Sequence, residues 1–201
     1  MFEEREEKYK SRKRLWLLLI IAGAALLRLY KINSPILDLY PIRQEMCAMI
    51  ARNFLYNGFN LLKPRLDWFG SMNPVWSMEL PLISYLTSLL YKFFGVREFL
   101  GRVVAIIFSL GSILLYYHFV RLFFKEKVAL LATFFFSFTP FNVYFSRAFM
   151  PESLMIFFSV GMLYYFCLWL KKQNIYILLL ASLLSSLCLL SKPFTVFLWI
   201  P

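Results

Sequence analysis

The 201-residue chain is poor in the residues that soluble catalytic and metal-binding sites rely on: it has one histidine, three cysteines, and only 11 acidic residues against 22 basic ones. A single imidazole, His118, with no carboxylate or cysteine at ligand spacing, excludes a histidine-rich metal centre. Cys47, Cys167 and Cys188 give no disulfide framework, since two fall in apolar stretches and read as small hydrophobes. Charged residues make up only 16% of the chain. That scarcity excludes an ordinary soluble domain. Internal repeats, low-complexity segments and the alternating pattern of a membrane β-barrel are also missing.

What is present is apolar bulk, 61% hydrophobic and 20% aromatic. Hydrocarbon about 30 Å thick takes roughly 20 mostly apolar residues per helix. About five such stretches occur, at 15–30, 103–120, 128–145, 154–170 and 175–190, and residues 194–201 open a further one. Backbone polar groups must be satisfied inside each segment in lipid, so the expected fold class is all-α, a polytopic transmembrane helical bundle. The first segment lacks a small-residue cleavage pattern before Arg28 and is followed by further spans, so it reads as an anchor and not as a removable signal.

Lysine and arginine set the expected orientation, because short cytoplasmic loops carry their excess. Arg12, Lys13 and Arg14 precede the first span; Arg121, Lys125 and Lys127 follow the second; Lys171 and Lys172 follow the fourth. All three agree on a cytoplasmic stub at 1–14, an external loop at 31–102 and transmembrane helices over 103–201. The net charge of +11 is thereby explained by anionic lipid headgroups and not by nucleic acid, which needs basic residues grouped on one soluble face.

The external loop is too long to be structureless. Over 43–56, Met46, Met49, Ile50, Ala51, Phe54 and Leu55 recur at helical spacing, which predicts an amphipathic helix in the membrane interface ended by Asn57 and Gly58 in a left-handed turn. A second interfacial helix is predicted over 80–94, with Pro81 in its first turn. Residues 61–74, with Trp68, Gly70 and two prolines, read as an ordered loop.

Threaded this way, Asp38, Arg43, Glu45, Asp67, Glu79, Arg147, Glu152 and Lys192 all fall on the external face. Asp38 and Glu45 are candidates to deprotonate an acceptor hydroxyl or to hold a divalent metal, although solvated loop carboxylates would look the same. Arg43 can neutralise Glu45 or grip a phosphate bidentately. Glu152, one step after Pro151, either caps a helix, where the dipole favours a carboxylate by about 0.3 to 1 kcal/mol, or presents a fixed acid to the surface. Arg147 lies in the same turn. Lys192 can pair with a lipid phosphate or simply snorkel to the interface. Asp67 and Glu79 suit sugar hydroxyls, and Trp68 offers a flat apolar platform or an interfacial anchor.

Several runs carry a resemblance. Arg43-Gln44-Glu45 leading into Ile50-Ala51-Arg52-Asn53-Phe54, then Asn57-Gly58-Phe59-Asn60, Asp67-Trp68, Glu79-Leu80-Pro81-Leu82 and Tyr91-Lys92-Phe93-Phe94-Gly95, looks like the first external loop of C-fold membrane glycosyltransferases. The similarity is to family 39-like enzymes, related to protein O-mannosyltransferases and lipid A aminoarabinose transferases. Phe145 to Glu152 resembles that family's second acidic loop, and Ser191-Lys192-Pro193 its later basic turn. The resemblance implies an amino-terminal transmembrane part of a longer enzyme, multi-pass in the inner or plasma membrane. It implies a polyprenyl-phosphate-linked sugar as donor and a hydroxyl acceptor on the extracytoplasmic face. It further implies Asp38, Glu45 and Glu152 as catalytic residues, and Arg43, Asp67, Trp68, Glu79, Arg147 and Lys192 as substrate contacts. The implied cofactor is a divalent ion, Mg or Mn, held by Asp38 and Glu45. Two readings from other classes stand beside it. A transporter or flippase would show broken helices and midplane charges, and a non-catalytic subunit of a cell-envelope glycan assembly would show neither transfer nor translocation.

Overall fold

The computed structural model describes residues 2–36, 40–67 and 79–199, and every regular element among them is helical. The order is α1 (Phe2–Leu29), α2 (Pro41–Asn57), α3 (Leu82–Phe94), α4 (Phe99–Arg121), α5 (Glu126–Phe138), α6 (Pro140–Phe145), α7 (Glu152–Lys172) and α8 (Ile175–Ser191), closed by a 3-10 helix over Pro193–Trp199. Helix α7 packs on α4 and α8, α2 packs on α3, and α1 runs beside α4, α5 and α6. Of these, α4 and α7 are long and apolar enough by length and composition to cross a bilayer; α3 and α8 are shorter apolar helices.

The distribution of side chains is that of a protein in lipid. Large apolar residues face outward on most helices, including Phe93 on α3, Ile107 on α4, Leu131 and Phe135 on α5, and Leu179 and Leu183 on α8. The small polar residues Ser84, Thr87, Ser109, Ser112, Thr133, Ser137 and Ser185 are buried instead. Small residues let helices approach closely where no hydrophobic force draws them together, and their hydroxyls bond back to the preceding turn, as Thr133 to Ala129 at 2.7 Å and Ser137 to Thr133 at 2.6 Å. Helix α3 is sharply divided in this way. In α2 the buried face mixes Gln44 and Asn53 with Ile50, Ala51 and Phe54, so it is less cleanly amphipathic than its spacing predicts.

Several boundaries differ from those expected. The apolar run at 128–145 is two helices, because Pro140 has no N–H and holds Thr139 extended (φ −57, ψ 125). The Phe136 carbonyl this frees is taken by Asn142 Nδ2, which donates to it at 2.6 Å, while the Phe135 carbonyl accepts both the N–H and the hydroxyl of Thr139, at 3.0 and 2.6 Å. Residues following Lys192 form a 3-10 helix and not the opening of an α-helical span. Pro81 precedes α3 as its cap and does not sit in its first turn. Gly58 ends α2 with φ 97 and ψ 146, a glycine-only extended geometry and not a left-handed helical one. At the other end, α1 extends back to Phe2, since its charged stub is rich in good helix formers.

Two buried arginines fix the chain after α1. Arg28, fully buried, donates Nε to Ser109 at 2.9 Å and Nη1 to the carbonyls of Ala24 and Ser137 at 3.1 and 3.2 Å, joining α1 to α4 and α5. Arg102 donates to the carbonyl of Lys31, the hydroxyl of Ser34 and the carbonyl of Pro35, at 3.2, 2.8 and 3.1 Å. The start of α4 thus holds the stretch leading toward α2.

The bundle has two distinct ends. At one, Arg121 Nε lies 3.3 Å from Glu126 Oε2, Tyr117 hydrogen-bonds Glu126, and Lys171 donates to the Leu122 carbonyl at 2.5 Å. The short basic turns meet there. At the other, the starts of α4 and α7 and the end of α8 come together under α2 and α3.

Candidate functional site

At that second end, four charged side chains from four separate segments form one cluster. Tyr40 (φ 61) turns the chain and Pro41 starts α2, which places Arg43 in the first turn. Arg43 Nη2 donates to both carboxylate oxygens of Glu79 at 2.7 Å, and its Nε is 3.9 Å from Glu152 Oε1. Glu152 is the first residue of α7, where the helix dipole favours a carboxylate. Lys192, just past α8, donates Nζ to Glu152 Oε1 at 2.6 Å and lies 4.0 Å from Glu79 Oε1.

Backbone contacts pin these segments. The N–H of Leu80 donates to the carbonyl of Leu190 at 2.8 Å, tying the residue after Glu79 to the end of α8. Thr195 donates its N–H and its hydroxyl to the Lys192 carbonyl at 3.0 and 2.7 Å. Gln44, wholly buried, accepts the Phe149 N–H through Oε1 at 3.0 Å and so holds the turn before Glu152 against α2. The Phe149 ring lies directly over Gly101, where a Cβ would come within 2.3 Å of it.

Burial across the cluster is graded. The side chains of Lys192, Glu152, Glu79 and Arg43 are 6, 16, 28 and 42% exposed. The Lys192–Glu152 pair is therefore the floor, and Arg43–Glu79 the side open to an incoming molecule. Burial pulls the Arg43 pKa down, but the hydrogen bond to Glu79 and the charges of Glu79 and Glu152 outweigh it and raise the value. Cys47, one turn along α2, has its thiol pushed up to about 12, by burial first and by the Glu152 charge second. Glu152 Oε2 and the hydroxyls of the neighbouring Ser153 and Ser191 are buried and make no hydrogen bond among the described residues.

The structure thus brings together Arg43, Glu79, Glu152 and Lys192 out of the residues singled out from sequence. It does not bring in Glu45, which is exposed on α2 and makes no side-chain contact among the described residues. Arg147 is half-buried in the turn before α7, without a side-chain partner among the described residues. Asp67 belongs to a different group: Arg52 donates to it at 2.5 Å and Asn53 at 2.8 Å, which binds the following loop to α2 beside a cavity of about 250 Å³ lined in part by Asn57, Asn60, Lys63 and Arg65. Asp38 and Trp68 lie outside the described residues.

Of the two implied metal ligands, only Glu45 is among the described residues. No three histidine, cysteine or acidic side chains among them converge, and both cluster carboxylates already face Lys192. Gln44, Gly101 and Cys47 were not singled out from sequence as parts of a site. Gln44 sits inside the Arg43-Gln44-Glu45 run, but its partner is 105 residues away.

A family model described as dolichyl-phosphate-mannose-protein mannosyltransferase matches residues 74–201, well over half the chain. No curated protein and no solved structure matches.

Proposed function

The chain belongs to the dolichyl-phosphate-mannose-protein mannosyltransferase family of membrane glycosyltransferases, and from that premise we propose that it transfers a sugar from a polyprenyl-phosphate donor to a hydroxyl acceptor at the extracytoplasmic face of the cell membrane. The observation that carries this reading is the cluster of Arg43, Glu79, Glu152 and Lys192 at the end of the bundle away from the short basic turns. If those turns are cytoplasmic, as the excess of lysine and arginine indicates, the cluster faces outward.

The reaction is an inverting displacement. A carboxylate takes the proton of the acceptor hydroxyl, whose oxygen forms the new bond to the anomeric carbon as the bond to the lipid phosphate breaks. Asp38, Glu45 and Glu152 are the acids proposed for that face. The phosphate departs with the bonding electron pair, changing from a singly charged diester to a monoester of about −1.5 to −2. Arg43, Lys192 and Arg147 are the cations that would stabilise the added charge, and fixed cations in a site shielded from water act strongly on it. Phosphate leaves readily, so no strong general acid is needed. The polar side chains around Asp67 are proposed to contact sugar hydroxyls.

The test is transfer of radiolabelled sugar from a polyprenyl-phosphate donor by the protein reconstituted in liposomes. Transfer that is lost in Glu152→Gln, with membrane insertion intact, is the expected result. Undiminished transfer by that variant, or translocation of the lipid without transfer, would overturn the reading.

A further inference from the structure

Arg43 and Lys192 are the cations placed to receive a phosphate, yet both are engaged by carboxylates of the same chain. Among the described residues, two positive and two negative side chains leave the cluster formally neutral, which is a poor trap for an anion arriving from solution or along the lipid surface. The graded burial separates the two pairs. Lys192–Glu152 is enclosed, with one short contact of 2.6 Å, while Arg43–Glu79 sits at the open side. A ligand reaching the cluster meets Arg43 and Glu79 first. Glu79 sets both carboxylate oxygens on the single nitrogen Nη2 of Arg43, a position that a phosphate oxygen would itself take.

We propose that Glu79 is a displaceable internal occupant of the phosphate position on Arg43, and that on displacement it, in place of Asp38, Glu45 or Glu152, becomes the carboxylate that accepts the acceptor's proton. This rests on the glycosyltransferase reading above and deepens it. When the donor phosphodiester takes Arg43, the Glu79 carboxylate loses its contacts to Nη2 and its oxygens are released to accept a hydrogen bond from the acceptor hydroxyl. The acceptor O–H then gives its proton to Glu79, its oxygen bonds the anomeric carbon, and the phosphate leaves with the electron pair onto Arg43 and Lys192. Collapse of the product returns the proton to bulk water and Glu79 to Arg43 as the lipid phosphate departs. Until donor is bound the base is held by Arg43, so water is not activated. Lys192, 4.0 Å from Glu79, offers the carboxylate a second, weaker partner during the exchange.

The proposal separates binding from turnover in a way that a simple contact role for Glu79 does not. In detergent-solubilised protein, affinity for a long-chain polyprenyl phosphate without sugar is measured beside the rate of sugar transfer, for the natural protein, Glu79→Gln and Glu79→Asp, with thermal unfolding recorded for each. Glu79→Gln removes the competing charge, so lipid phosphate should bind several-fold to about tenfold more tightly while transfer falls by about a hundredfold or more. Glu79→Asp, too short to keep both contacts to Arg43, should bind more tightly than the natural protein and keep part of the transfer rate, which also covers the case in which the glutamine variant fails to fold. Weaker or unchanged phosphate binding in the folded variants, or undiminished transfer by Glu79→Gln, would overturn the exchange while leaving the family reaction standing. Absence of both binding and transfer in the natural protein would remove the reading beneath it.

Discussion

Gln44 and Phe149 meet through one hydrogen bond of 3.0 Å, from the Phe149 N–H to the Gln44 side-chain oxygen, across 105 residues of sequence. Both residues are fully buried. The contact docks the turn that carries Arg147 and leads into Glu152 onto the helix that carries Arg43. Replacing Gln44 by leucine leaves the Phe149 donor buried without an acceptor, at a cost of about 1–3 kcal/mol. Gln44→Leu is expected to unfold earlier in detergent and to transfer sugar more slowly, whereas Gln44→Glu, which keeps an acceptor oxygen, should lose less of both.

Gly101 is set by the same turn. An alanine Cβ there would stand 2.3 to 2.5 Å from three atoms of the Phe149 ring, a ring with no free space to retreat into. Overpacking of this kind costs about 1–3 kcal/mol. Gly101→Ala should lower thermal stability, and pairing it with Phe149→Leu should recover part of the loss. A lack of recovery would place the strain elsewhere.

Lys192 and Glu152 form the most enclosed charge pair of the cluster. Breaking a buried pair by removing one partner strands the other, and costs about 3–5 kcal/mol. Lys192→Met and Glu152→Gln should each destabilise the protein, and the double variant should be more stable than the sum of the two predicts, since neither charge is then left alone. Transfer should be lost in all three. Strict additivity in thermal or denaturant unfolding would show that the two charges do not act on each other.

The thiol of Cys47 supplies a pH test. With its pKa pushed up to about 12 against an ordinary value of 9.0, it stays protonated at neutral pH. A variant with Cys47 as its only cysteine should react with maleimide at pH 7.5 on the order of a thousandfold more slowly than a free thiol. The sign for stability follows. The unfolded chain loses this proton near its ordinary pKa while the folded chain retains it, so the contribution is complete below about pH 9 and is lost as pH rises from there toward 12. Fast labelling at pH 7.5 would show that the thiol is neither enclosed nor electrostatically raised.

Orientation is open to direct measurement. Glu45 and Lys172 are both exposed, on α2 and at the end of α7. Single cysteines at these positions, treated in intact cells with a membrane-impermeant reagent, should label at 45 and be protected at 172. The reverse pattern would invert the proposed face.

The apolar core of the fold was legible because span length and helical periodicity are local: α4, α7 and α8 begin and end within a few residues of their expected limits. Hydropathy alone is blind to a break that is itself apolar, so the run containing Thr139 and Pro140 read as one span although its proline lacks the N–H that continuity requires. The same insensitivity hid the charged first half of α1, whose helical tendency resides in propensity and not in apolarity. Within the site, residue types and their common face could be read, but pairings could not. Arg43 was set against its neighbour Glu45, yet the structure joins it to Glu79, 36 residues on. Local spacing cannot reveal which side of a helix a distant loop will cover, and that is decided by the packing of α3 on α2 and by the Leu80–Leu190 backbone bond.

That backbone bond has a consequence for biosynthesis. Leu190 and Lys192 come last in the chain among the residues that build the cluster, so Glu152 awaits its lysine partner until α8 has been made. Assembly of the site is in this sense timed by translation, and a nascent chain halted before α8 would carry two acids and a single arginine with no floor beneath them.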